Sequence, residues 1–268
     1  MDLALGGKRA LITGSTSGIG IGIAKRLADE GAVVVIHGRN PARGEKVVED
    51  LVQGGATASL VLGDLSRDDE AAHVCDEVLG ALGGIDILVN NAAHTGDGHV
   101  DWFDDTIARW EEAYQSKPMA AVRMIKRLVP GMIERGWGRV INIGSAAAVQ
   151  PTAGQPSQYA SYAAMLNLTA GLARSMTVGG VTVNTVSPGV IMTPAVEAWG
   201  TDLGRQQGWP EDWAEIEKRL VTTFLPLPVQ RIGRVEDIGA AVAFLASPLA
   251  GYITGINMRI DGGQIQSV

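Results

Sequence analysis

Arg9-Ala10-Leu11-Ile12-Thr13-Gly14-Ser15-Thr16-Ser17-Gly18-Ile19-Gly20 is the stretch on which the architecture of this chain turns. Residues 9–13 read as a short buried strand. From Gly18 the apolar residues change to helical spacing (Ile19, Ile23, Leu27), and the pattern stops at Gly31. A strand that passes through glycines into a helix brings bare backbone N–H groups and the positive end of the helix dipole to one point. That arrangement suits an anion such as a pyrophosphate. Gly14, Ser15, Thr16, Ser17, Gly18, Ile19 and Gly20 are therefore candidate phosphate-binding residues.

Outward from this turn the alternation repeats. Strands are predicted at 33–36, 59–62, 85–89, 139–143, 181–184 and 256–260, each too short and too β-branched to read as helix. Helices are predicted at 41–52, where Pro41 suits a first turn, and at 68–82, where Asp68, Asp69 and Glu70 favour the N-terminus. Others are predicted at 157–177, which is nearly uncharged, and at 235–246. A long helix is predicted over about 107–135, kinked or broken at Pro118 and Pro130. Strands alternating with helices predict an α/β fold: one Rossmann-type, doubly wound domain over 1–268, with about seven parallel strands and helices on both faces. Right-handed crossovers then set all strand C-terminal ends on the edge where ligands bind. Residues 194–228 break the rhythm and carry Trp199, Trp209, Trp213, Phe224, Leu225 and Leu227. They are too long for a simple connection and read as a partly helical substrate lid.

Composition removes several function classes. At net charge −7 the 268-residue chain is a poor partner for nucleic acid, which needs a basic surface. The single Cys75 excludes an internal disulfide and reads as a small core residue. No ligand spacing predicts a metal site. The first residues lack the order of a secretory signal, and no apolar run approaches the ~20 residues of a membrane span. The expectation is a cytoplasmic protein with no membrane partner.

The spacing Thr13-Gly14-x-x-x-Gly18-x-Gly20 resembles that of the short-chain dehydrogenase/reductase family, and the rest of the chain follows in order. Asp64-Leu65 is similar to the family's adenine-contacting pair, Asn90-Asn91-Ala92-Ala93 to its Asn-Asn-Ala-Gly, and Asn142-Ile143-Gly144-Ser145 to the stretch ending in its catalytic Ser. Asn184-Thr185-Val186-Ser187-Pro188-Gly189 with Ile191 and Thr193 resembles the turn that contacts nicotinamide, and Asp261-Gly262-Gly263 its C-terminal signature. The resemblance covers nearly the whole chain. It implies cofactor contacts at Asp64, Leu65, Asn91, Ala92, Pro188, Gly189, Ile191 and Thr193 besides the phosphate turn. After the second strand comes His37-Gly38-Arg39-Asn40. An acid here would select NAD by accepting from the ribose 2′-hydroxyl; Arg39 can pair with a 2′-phosphate and stack on adenine, with Asn40 beside it. NADP(H) is therefore favoured, and NAD(H) stays open.

The chain departs from the family where the chemistry lies. In the family a Tyr moves the proton, a Lys four residues later lowers the Tyr pKa and holds the ribose, a Ser orients the carbonyl, and an Asn holds a relay water. A gapless alignment keeps Ser145 at the family spacing but puts Gln158 at the Tyr, Tyr162 at the Lys and Lys117 at the Asn. A shifted alignment makes Tyr159 the catalytic Tyr and leaves Ala163 at the Lys. An amide cannot act as a general acid near neutral pH.

Three readings follow. In the first, an NADP(H)-dependent oxidoreductase keeps its chemistry with relocated groups. Ser145 and Gln158 hold a carbonyl, and the Lys117 ammonium lowers the pKa of the Tyr162 phenol. In the second, the pocket catalyses a non-redox elimination, isomerisation or cyclisation. In the third, the chain is a silent nucleotide- or ligand-binding homologue. Lys117 on a long helix also has the plain reading of a solvated side chain.

The lid tryptophans with Trp102 and Phe103 suggest a small apolar or aromatic substrate, although several of them are expected in the lid's own core. His94 and His99 lie in the loop after the fourth strand among Asp97, Asp101, Asp104 and Asp105, as extra acid–base candidates or solvated side chains. By resemblance, the nearly uncharged helix at 157–177 and the long helix before it are expected to form a homotetramer or homodimer.

Overall fold

The structure, a computed structural model, describes residues 2–93, 98–176 and 179–266. The short apolar runs become β1 (Arg9–Ile12), β2 (Val33–Gly38), β3 (Ala58–Leu62), β4 (Ile87–Asn90), β5 (Gly138–Ile143), β6 (Val181–Pro188) and β7 (Asn257–Ile260). They pair in parallel in the order β3-β2-β1-β4-β5-β6-β7. β4, β5 and β6 are buried along their whole length, as strands covered on both faces must be, whereas β3 and β7 at the edges are partly open. The chain winds outward from β1 to β3, then returns to lay β4 against the other side of β1. This reversal of strand order leaves a crevice beyond the C-terminal ends of β1 and β4.

Two apolar layers sandwich the sheet. On one face α1 (Gly18–Asp29), α2 (Pro41–Gln53) and α9 (Val235–Ala246) bury Leu27, Leu51 and Val242 against Ile36, Val89 and Ile143. On the other, α3 (Asp68–Leu82), α5 (Ala120–Glu134) and α6 (Pro156–Ser175) bury Val74, Met124 and Met165 against Leu11, Leu88 and Val140. Cys75 belongs to that second layer, where burial pushes its thiol up to about 12 and leaves it inert.

The long helix differs from its predicted form. Neither proline ends it. α4 (Ile107–Tyr114) passes through a π-helical turn (Gln115–Met119) into α5, and Pro118 lies in that turn while Pro130 sits inside α5. A proline has no N–H to give to the carbonyl one α-turn back, and the wider π turn absorbs the fault. Residues 194–228 fold as α7 (Pro194–Gln206), α8 (Trp213–Arg219) and a second π turn (Leu220–Phe224). With Ile232 they form a small apolar cluster of Ile216, Leu220, Val221 and Leu227, with Trp209 and Trp213 packed on it. Among the described residues no helix is long and apolar enough to cross a membrane, and no group of side chains is suited to a metal ion.

Candidate active site

The turn between β1 and α1 is shaped by what cannot fit in it. Gly14 and Gly18 have φ of 65° and 55°, the left-handed region where glycine alone is unstrained. A Cβ on Gly20 would lie 2.4 Å from Gly14 O, and one on Gly14 would lie 2.8 Å from Ala92 Cα. The residues after β4 tie the turn down. Asn91 Nδ2 donates to Thr13 O and Gly14 O, both at 2.9 Å, and Thr13 Oγ1 accepts from the N–H groups of Asn91 and Ala92 at 3.0 Å. Ser15 is turned inward, its Oγ donating to Ile12 O at 2.7 Å, so its hydroxyl is not available to a phosphate. The first N–H groups of α1 have no acceptor within the helix, and Ser17 supplies no side-chain cap. This cradle fits a pyrophosphate.

The loop after β6 reaches the same place. Thr193 caps α7 by accepting from Val196 N–H (3.3 Å), and its methyl lies 3.5 Å from where a Cβ on Gly18 would stand. Pro188 ends β6, Gly189 has no room for a side chain beside Asp261, and Ile191 is buried and bridged to Gly233.

At the end of β2, Arg39 is largely exposed and pairs with Asp64 (3.6 Å). Partial burial alone would raise the Asp64 carboxyl, but hydrogen bonding from Ser66 and the charge of Arg39 outweigh it and hold its pKa below the ordinary value. Asn40 is occupied as the cap of α2, accepting from Arg43 N–H (3.0 Å), and the side chain of Leu65 belongs to the core. His37, just before these residues, is 3% exposed. Its Nδ1 accepts from Gly14 N–H (3.1 Å) and its Nε2 donates to Gly63 O (3.2 Å), and burial pushes its pKa down to about 4. Its role was not read from the sequence, because a lone His at a strand end carries no local sign of what it spans.

Lys117 is not solvated. It lies in the π turn at 3% exposure, with Nζ donating to Asn91 O (3.2 Å) and Ala92 O (3.4 Å), the residues that also tie down the phosphate turn. Among the described residues no carboxylate pairs with it, and burial pushes its pKa down to about 7. Its Nζ stands 5.4 Å from the centre of the Tyr162 ring. The expectation of an ammonium that lowers the phenol pKa is corrected here. Burial, with a further contribution from Tyr159, raises the Tyr162 pKa above its ordinary value, and Lys117 lies over the ring while itself losing its charge near neutrality.

Gln158, one turn before Tyr162 on α6, is buried, and among the described residues its side-chain amide has no hydrogen-bond partner. Tyr159 is turned aside, its hydroxyl accepting from Thr152 Oγ1 (3.2 Å), and Ala163 is exposed. Ser145 follows β5 and starts a single 3₁₀ turn (Ala146–Ala148), its Oγ accepting from Ala147 N–H (3.2 Å). Asp105 proves to be an anchor, its Oδ2 accepting from Ser157 N–H at the start of α6 (2.9 Å) and its Oδ1 from Arg109 Nε (3.1 Å). His99 pairs with exposed Asp101 (3.1 Å), while His94 and Asp97 lie outside the described residues. Trp102 and Phe103 are exposed, Trp102 stacking edge-on against Trp110.

A family model described as enoyl-(acyl carrier protein) reductase matches residues 14–264. The uncharacterized oxidoreductase YvaG of Bacillus subtilis is 38% identical over 269 residues, covering 100% of both chains. The 3-oxoacyl-[acyl-carrier-protein] reductase FabG of Vibrio cholerae is 32% identical, covering 97% of this chain and 98% of that protein. Among solved structures, L-sorbose reductase from Gluconobacter frateurii, complexed with NADPH and L-sorbose, superposes with a TM-score of 0.93 at 32% identity over 100% of both chains. YwfH, an NADPH-dependent reductase involved in bacilysin biosynthesis, gives 0.88 at 28% identity over 98% of this chain and 100% of that one. With its crevice at the strand reversal, its glycine cradle and these relatives along its whole length, the chain belongs to the short-chain dehydrogenase/reductase family of oxidoreductases.

Proposed function

We propose that this chain is an NADP(H)-dependent oxidoreductase that interconverts a small carbonyl or enone compound and its reduced form, with Lys117 and Tyr162 doing the proton work. The observation that carries this reading is the Lys117 amine, titrating near neutrality, 5.4 Å from the Tyr162 ring and bonded to the loop that holds the phosphate turn. The pyrophosphate belongs at residues 14–20, with Asn91, Ala92, Pro188, Gly189, Ile191 and Thr193 forming the rest of the cofactor's surroundings. Exposed Arg39 supports a 2′-phosphate, as do the NADPH-bound and NADPH-dependent neighbours, and NAD(H) ranks second. A bound nicotinamide supplies or accepts hydride.

The chain's own residues divide the remaining work. Gln158, whose amide has no hydrogen-bond partner among the described residues, and Ser145 hold the carbonyl oxygen. Tyr162 stays a neutral phenol at pH 7 and is a proton donor. A neutral Lys117 can give its two N–H groups to Asn91 O and Ala92 O and keep a lone pair to take a proton. A group titrating near the working pH is the effective acid–base catalyst. Exposed Trp199 and Phe224 on a lid at about 194–228 favour a substrate with an apolar or aromatic body. The same reading takes 1–268 as one domain in a cytoplasmic homotetramer or homodimer. Gln158 supports a second reading, non-redox elimination, isomerisation or cyclisation, because it cannot donate a proton.

Titration with NADPH and NADH, followed by NADPH consumption over a panel of ketones, enones and ketoses, tests the proposal. The expected result is NADPH-selective binding and turnover whose pH profile bends near 7 and loses that bend in Lys117→Met. Binding of neither nucleotide at millimolar levels rejects the oxidoreductase reading. Nucleotide binding without turnover of any carbonyl moves the site to the non-redox reading or to a silent binding homologue.

A further inference from the structure

We infer that His37 is the strut that sets the cofactor cradle, a positioning residue that holds the phosphate turn and the adenosine-side loop at a fixed distance through its two ring nitrogens. The inference rests on the nucleotide-binding reading above and adds a residue to it.

Three segments meet at this imidazole. Gly14 N–H donates to Nδ1, and a backbone N–H can only donate, so Nδ1 is unprotonated. Gly63 O accepts from Nε2, and a carbonyl can only accept, so Nε2 carries the proton. These contacts demand the neutral Nε2–H tautomer. A second ring proton would point at Gly14 N–H, which agrees with the pKa held far below the ordinary value.

The backbone of His37 adds to the grip. Ser15 N–H donates to His37 O (2.9 Å), and His37 N–H donates to Ser15 Oγ (3.0 Å). The next residue, Gly38, has no space for a Cβ, which would stand 2.5 Å from the Thr16 methyl, and Gly63 N–H donates to Gly38 O (3.2 Å). Beyond Gly63 is Asp64, the partner of Arg39. One buried ring thus joins the glycine turn after β1, the end of β2 that presents Arg39, and the loop after β3.

Two consequences follow. Gly14 N–H is spent on the ring and is not a phosphate ligand, so the anion falls to the later N–H groups at the start of α1. His37 itself touches no nucleotide and acts through the placement of the turn.

The test compares three substitutions by calorimetric titration with NADPH and with 2′-phospho-ADP-ribose, which lacks only the nicotinamide ring. An Asn side chain can place its Oδ1 where Nδ1 stands, a Gln can place its Nε2 where the ring Nε2 stands, and a Phe keeps the volume and neither bond. His37→Phe is expected to weaken both ligands by the same factor, about tenfold or more. His37→Asn, which keeps the Gly14 bond, should recover most of that loss and His37→Gln much less. Unchanged affinity in His37→Phe, or a loss confined to NADPH, overturns the inference while leaving the nucleotide reading intact. If the unsubstituted protein binds neither ligand, both fall together. A measurement on the unsubstituted protein guards against misfolded variants: ¹⁵N shifts of the His37 ring should report Nε2 protonated and Nδ1 free at pH 6. The opposite tautomer, or a charged ring, rejects the strut.

Discussion

A buried lysine amine that pairs with no carboxylate among the described residues has a cost that depends on pH. Lys117 titrates at about 7 in the folded protein against 10.5 for an unhindered lysine. Between these values the unfolded chain carries a proton that the folded site lacks, so stability rises with pH across this window, by about 1.4 kcal/mol per unit. Below 7 both states are protonated and the folded state bears the full desolvation cost; above 10.5 neither is protonated and the cost is gone. Lys117→Met removes this dependence but leaves Asn91 O and Ala92 O without a donor, a fixed loss of about 1–3 kcal/mol for each carbonyl left buried. Denaturant unfolding of both proteins from pH 7 to 10 should therefore show the variant's stability, relative to the parent, falling steadily as pH rises. A pH-independent difference would mean that Lys117 is not perturbed. The residue is kept at a cost to stability, which is the pattern of a group placed for chemistry.

At the scale of the element, α6 decides which residues face the crevice. Gln158 and Tyr162 are one turn apart, the first buried and the second lying under Lys117, while Tyr159 turns to Thr152 and Ala163 is exposed. Residues four apart share a helix face and adjacent ones do not, so the helix can offer only one of the two registers. Gln158→Tyr combined with Tyr162→Lys is expected to raise turnover of simple ketones with NADPH by at least tenfold. Ala163→Lys, which completes the other register around Tyr159, is expected to leave it unchanged. A gain from Ala163→Lys alone would show that Tyr159 is the working phenol. The π turn before α5 belongs to the same scale, since it displaces the helix just where Lys117 leaves it.

For the whole molecule, the apolar surface that remains outside is informative. Val122, Ile125, Leu168 and Leu172 line a groove between α5 and α6, and Leu249 and Tyr252 stand exposed near the edge strand β7. A second copy over this surface is the proposal that fits a helix as poorly charged as α6. Sedimentation should find a species of two or four times 28.1 kDa, and Val122→Glu should reduce its mass. A monomer at micromolar concentration would reject the assembly.

The succession of strands and helices along the chain, the glycine turn and its place at the start of α1 were legible in the sequence, because they rest on period, β-branching and the special conformation of glycine, all local properties. The gapless register was proposed from the family's spacing, and the structure adds to it that Gln158 and Tyr162 lie one turn apart while Tyr159 turns to Thr152. What Lys117, His37 and Asp105 do was not legible, since each acts across elements distant in the chain. Lys117 could be read as a solvated cation until the fold laid it against the carbonyls after β4. The Tyr162 phenol was expected to be acidified by an ammonium, but burial shifted both groups toward their neutral forms. The sequence by itself determined the scaffold and the phosphate turn through local stereochemistry. Only the tertiary structure decided the charge states and partners of the site, because desolvation and long-range hydrogen bonds exist only after the chain has closed around them.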